Sequence, residues 1–132
     1  MNISTVAEKS HVSAKSIRYY ESIALIPSVD RLTNGYRAYR ESDVHTLRFI
    51  RRASSLGFSV EETRRLLDLW RDTRRSSNKV KALASQHLMQ LDQKIAELQA
   101  LRRTLAHLIE RCQNGDRPDC PILDDLARHG EE

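Results

Sequence analysis

Between Phe58 and Asn114 the chain has neither glycine nor proline, the longest such stretch in its 132 residues. Within it Ala84, Leu88, Leu91, Ile95, Leu98, Arg102, Leu105, Ile109 and Cys112 alternate by spacings of four and three. That rhythm holds one stripe of an α-helix, a heptad seam with a polar interruption at Arg102. It predicts one helix from about Asn78 to Arg111, roughly 50 Å long at 1.5 Å per residue. All seven aromatic residues lie at or before Trp70, so nothing bulky downstream covers the stripe. A long helix with an apolar seam and no aromatic neighbours calls for a partner, and a second copy in a two-fold dimer is the simplest one. Folding back on its own chain is the alternative.

A core containing aromatics therefore belongs to roughly residues 1–70. Ile3, Val6 and Ala7 suggest a short first helix. Ser10-His11-Val12 turns, and Ser13 is placed to N-cap a second helix from Ala14 to Ser22. Asn34-Gly35, between Arg31-Leu32 and Tyr36-Arg37, is the strongest short hairpin signal, since both turn positions tolerate positive φ. A third helix is expected from about Asp43 to Leu56, stopped by Gly57. Ser59-Val60-Glu61-Glu62 reads as a capping box that opens a fourth helix to about Trp70.

The cationic excess sits in this half: the first 75 residues hold 14 Lys+Arg against 9 Asp+Glu. Two helices joined by a tight turn within some 20 residues form the helix-turn-helix pattern. On the second of them Lys15, Arg18 and Tyr19 fall at i, i+3 and i+4 and share a face, while Ile17 and Tyr20 point toward a core. A basic and aromatic stripe suits the major groove and its flanking phosphates. The hairpin adds Arg31, Tyr36 and Arg37, an arm fit to lie along the backbone as a wing, and helix three adds Arg48, Arg51 and Arg52. The competing reading makes these charges a solvated face. No apolar run approaches the roughly 18 residues of a membrane span. Met1-Asn2-Ile3-Ser4 lacks a signal-peptide profile, so a cytoplasmic protein is expected.

The motifs Ile17-Arg18-Tyr19-Tyr20-Glu21, Asn34-Gly35-Tyr36-Arg37-Ala38-Tyr39 and Leu56-Gly57-Phe58-Ser59-Val60-Glu61-Glu62, in that order and spacing, resemble the signature blocks of the MerR family of transcription regulators. The resemblance runs from Met1 to about Asp125. It implies a mainly α fold with three parts. Residues 1–70 would form a winged helix-turn-helix domain with a second, helical wing. Residues 71–111 would be a linker and an antiparallel coiled-coil dimerisation helix, and residues 112–132 a metal-binding loop with a short helix. It further implies a homodimer on double-stranded promoter DNA, aligning overlong-spaced promoter elements for RNA polymerase when an effector binds.

Cys112 and Cys120 enclose seven residues that include Gly115 and Pro118. Pro121 at a first helical position makes Cys120 a candidate N-cap of a helix over Ile122 to Arg128. A thiolate there is stabilised by free amides and the helix dipole. Two thiolates on a short loop suit a soft ion, and Cu(I) prefers sulfur and accepts two ligands, with Ag(I) and Au(I) as mimics. A divalent ion would want about four ligands, for which His107, Asp116, Asp119 and His129 are the candidates. Buried inert thiols or an incidental disulfide are the bland alternatives. The loop followed by Pro121-Ile122 resembles the copper-responsive branch of the family. The resemblance also implies that Ser77 stands where divalent-ion sensors carry a cysteine supplied across the dimer. A Cu(I)-responsive activator of copper-tolerance genes is the expectation; sensing of another ion or of thiol oxidation is the alternative. Without a Cys-x-x-Cys, or a His, Asp or Lys placed by motif beside either thiol, no enzyme is expected.

Overall fold

The computed structural model describes residues 1–27, 38–112 and 118–129. Six helices lie in them: α1 (Ile3–Ser10), α2 (Ala14–Ser22), α3 (Glu41–Ser55), α4 (Val60–Arg71), α5 (Ser77–Arg111) and α6 (Pro121–His129). The fold is mainly α, as the sequence predicts. The expected hairpin at Asn34-Gly35, with Arg31, Tyr36 and Arg37, lies outside the described residues.

Local capping chemistry sets most helix ends. Asn2 accepts the Thr5 N–H at 2.9 Å to open α1, and Ser13 accepts the Ser16 N–H at 3.1 Å to open α2. At α4 the capping box is reciprocal: Ser59 Oγ accepts from the Glu62 N–H at 3.1 Å, and Glu62 Oε1 from the Ser59 N–H at 2.9 Å. The α3 helix begins two residues before the expected Asp43. Asp43 is its third residue, and its carboxylate accepts the Arg40 N–H at 2.9 Å. The α2 helix ends without glycine. Ala24 takes φ 58°, and the Leu25 N–H donates to Tyr20 O at 2.9 Å, which turns Leu25 and Ile26 into the core.

The chain divides into two compact units, Met1–Leu83 and Ala84–Glu132. In the first, α1 packs on α2 and α3, and α3 on α4. Val6, Ile17, Ile26, Val44, Leu47 and Leu67 are fully buried between them. Each such aliphatic side chain contributes about 1.5–3 kcal/mol. Tyr39 is buried too; its hydroxyl donates to the buried Glu21 carboxylate at 3.3 Å, which spares the acid an unpaired burial. Phe49 stacks on Trp70 with ring centroids 4.6 Å apart.

The second unit holds most of α5 and all of α6. Only His87 and Leu108 of α5 are buried. The seam residues Leu88, Ile95, Leu98, Leu105 and Ile109 are each 51–57% exposed within the single chain.

Candidate nucleic-acid interface and metal centre

The α2 helix separates its faces as expected. Ile17 is fully buried and Tyr20 packs against the core, while Lys15 and Arg18 are exposed and Tyr19 is 52% exposed. Among the described residues neither Lys15 nor Arg18 has an acidic partner. The stripe is free to meet an anionic polymer without first breaking an ion pair.

Arg48 has a different task from the one its charge suggests. Its Nε and one Nη donate to the Lys9 carbonyl at 3.2 and 3.0 Å. That oxygen belongs to the last turn of α1, where carbonyls lack helical donors and the dipole favours a cation. Arg48 thus braces α3 against the end of α1. Beside it Lys9 Nζ lies 2.8 Å from Glu41 Oε1. Hydrogen bonding from Lys9, then its charge, holds the Glu41 carboxyl below its ordinary range. Arg64 of α4 similarly donates to the carbonyls of Ile23 and Ala24, at 2.8 and 3.2 Å, fixing the segment after α2. Sequence patterns announce neither brace, because each joins residues about 40 positions apart.

His11 takes φ 60° and ψ 27° at the C-cap of α1, in the turn before α2. It lines two adjoining clefts, of about 420 and 280 Å³, that share His11, Arg51 and Ser55.

Cys112 follows α5, and its N–H donates to the Ile109 carbonyl at 3.1 Å, a tightened final turn. Cys120 precedes α6, and its carbonyl accepts the Asp124 N–H at 3.0 Å, the first helical bond of α6. Cys120 is therefore the N-cap. Both thiols are free and half-buried. Residues 113–117, Asp116 among them, lie outside the described residues. Of the other candidate ligands, His107 and Asp119 are exposed, and His129 Nε2 lies 3.8 Å from Asp125 on its own helix. Among the described residues no group of three or more His, Cys, Asp or Glu is placed to hold a metal ion. Among the described residues, Cys112 and Cys120 are the two thiols that could hold a soft metal ion. Ser77 is the exposed first residue of α5.

The family model described as MerR HTH family regulatory protein matches residues 1–70, and the one described as MerR, DNA binding matches residues 44–108. The chain is 52% identical over 130 residues to the HTH-type transcriptional regulator HmrR of Sinorhizobium medicae, covering 98% of this chain and 88% of that one. It is 53% identical over 127 residues to heavy metal-dependent transcription regulator 2 of Rhizobium meliloti, covering 96% and 86%. Among solved structures it is similar to the transcription regulator PbrR691 of Ralstonia metallidurans in complex with lead(II). There the TM-score is 0.84 at 32% identity, over 96% of this chain and 98% of that one.

Proposed function

The chain belongs to the MerR family of helix-turn-helix regulators and is a heavy-metal-responsive, DNA-binding transcription regulator rather than an enzyme; we propose that the metal it reads is Cu(I), through Cys112 and Cys120. The observation that carries this reading is the donor set. The chain has two cysteines and no third, both are free thiols, and one of them caps a helix N-terminus. Two thiolates and a monovalent cation leave one negative charge, which the amides and dipole at the start of α6 offset. Ag(I) and Au(I) share that chemistry.

In the metal-bound protein Cys112 and Cys120 would hold the ion between the end of α5 and the start of α6. The chain's own residues do the rest. Cys120 holds its thiolate at the α6 terminus. The exposed Leu123 and Leu126, with half-buried Ile122, supply an apolar face that docks once α6 is restrained. The α5 seam would hold two copies together as an antiparallel coiled coil, and Ser77 opens α5 where the family resemblance implies a cysteine in divalent-ion sensors. Lys15, Arg18, Tyr19 and the wing residues Arg31, Tyr36 and Arg37 grip the promoter. The change in the dimer is read out as promoter distortion that RNA polymerase recognises. Reversing a 1:99 population requires about 5.5 kcal/mol of differential binding, a scale two copper–thiolate bonds can supply. Such a regulator works in the cytoplasm, where thiols stay reduced.

The test is anaerobic Cu(I) titration of the reduced protein with X-ray absorption. Two sulfur neighbours at one equivalent per chain are expected. Cys112→Ser and Cys120→Ser should each abolish copper induction and leave DNA affinity unchanged. A four-ligand shell would support a divalent sensor instead, the reading that the lead(II) complex of PbrR691 favours. Induction by oxidant alone, with no copper uptake, would support thiol sensing.

A further inference from the structure

The recognition helix is short and held at both ends. Its nine residues span roughly 13 Å at 1.5 Å per residue, so a small displacement of either end tilts its whole exposed face. Its start is capped by Ser13 and joined to α1 through the turn at His11. Its other end is gripped from α4. One Arg64 Nη donates to the Ile23 carbonyl at 2.8 Å and the other to the Ala24 carbonyl at 3.2 Å. These oxygens lie just past the last turn of α2, where helical donors run out and the dipole favours a cation. The Ile23 N–H donates to Tyr19 O at 3.1 Å, so the guanidinium sits one turn beyond the exposed Tyr19. Two donors on one planar group fix direction as well as distance.

The gripped segment resists its own conformation. Ala24 takes φ 58°, which a Cβ disfavours, and the burial of Leu25 and Ile26 together with the Arg64 bond holds it there. On the other side of the tie, Arg64 is half-buried, its Nε lies 3.8 Å from Glu61 Oε1, and Leu67 one turn later is fully buried. Along the chain α4 leads directly into α5. The joint is short and internally bonded: Asp72 Oδ1 accepts the Arg74 N–H at 2.9 Å, and the Asp72 carbonyl accepts the Arg75 N–H at 3.3 Å. It lies with α4 and the start of α5 in one compact unit, and a joint of this kind passes movement on. We infer that Arg64 is a positioning residue for the metal response: it makes α2 follow α4, so that a shift at the start of α5 changes how Lys15, Arg18 and Tyr19 meet the promoter. The inference deepens the proposed regulator reading and does not depend on which ion is sensed.

The experiment uses the intact protein on a footprinted operator duplex carrying 2-aminopurine at its centre, with and without Cu(I). Arg64→Ala should take up Cu(I) like the parent. The coupling between the ion and the operator's fluorescence should fall by roughly fivefold or more, the lower end of what allosteric coupling is worth. Ala24→Gly removes the left-handed penalty, so Arg64→Ala/Ala24→Gly should melt like the parent and still respond weakly. A double variant that regained the full response along with its stability would reduce Arg64 to a brace and overturn the inference. So would an Arg64→Ala protein that responds like the parent. A third arm needs no metal: the amides of Ile23, Leu25 and Ile26 should exchange hydrogen faster in metal-free Arg64→Ala, and unchanged exchange would show that the tie holds nothing. A parent that ignores Cu(I) would sink the copper reading alone; the same titration with Pb(II), and the exchange arm, would then decide on Arg64.

Discussion

Leu98 lies near the middle of α5 and is 55% exposed in the single chain. If the seam is an antiparallel dimer interface, the middle of each helix meets the middle of its partner, and both copies of Leu98 are buried there. Completing the burial of a half-exposed leucine is worth roughly 1 kcal/mol, half the value for a whole side chain. Truncation to alanine removes most of that twice per dimer. Leu98→Ala should therefore weaken dimerisation by about 2 kcal/mol, which corresponds to roughly thirtyfold in Kd. Sedimentation equilibrium of the reduced protein over a range of concentrations measures it. Gln93→Ala, on the opposite face of the same helix, is the control and should leave the Kd unchanged. Equal dissociation constants for Leu98→Ala and Gln93→Ala would refute the seam as the interface, and a parent protein that stays monomeric would refute the dimer itself.

Four other outcomes follow from the same structure. Leu47 is fully buried in the core of the first unit, so Leu47→Ala should lower the free energy of unfolding by about 3 kcal/mol in urea titration. Ser59→Ala breaks the capping box of α4 and should cost about 1 kcal/mol in the same assay. The Glu41 carboxyl titrates lower folded than unfolded because of Lys9. Its contribution to stability is present above the ordinary carboxylate pKa and is lost as pH falls through the lowered folded value. Glu41→Gln should thus destabilise slightly at neutral pH, and the difference from the parent should vanish in acid; a difference that grows as pH falls would reverse the assignment. Asp124 stands in the first turn of α6 beside the proposed thiolate of Cys120, so Asp124→Asn should tighten Cu(I) binding in a competition titration with a chromophoric chelator.

What the residues announce is local. Ser13 and Ser59 mark α2 and α4 because a capping side chain bonds to an amide two or three residues on, and the seam of α5 is visible because one helix carries all of it. The start of α3 differs by two residues from its expected place for the same local reason, since an acid such as Asp43 at the third helical position looks like a cap. Ala24 carries no signal because a left-handed residue is announced by glycine, and here the pull of Leu25 and Ile26 into the core supplies the reason. In the sequence Arg48, Arg51 and Arg52 look alike, three cations on one helix. What distinguishes them is the end of α1, some 40 residues away, which takes the first and leaves the other two open to solvent.

The proposed metal centre shows a different limit. Residue types state the chemistry, and position decides among ions. A pair of thiolates with a divalent cation is neutral and gains nothing from the positive end of a helix, whereas with a monovalent cation it keeps one negative charge that the start of α6 can stabilise. In the proposed Cu(I) site, Cys120 at the N-cap would therefore favour low ionic charge as well as softness. Asp124 stands in the same turn, and its carboxylate would work against that preference, the effect that the Asp124→Asn titration measures. A sensor needs that balance: it must release its ion when the supply falls, and a site stabilised by every nearby group would stay loaded.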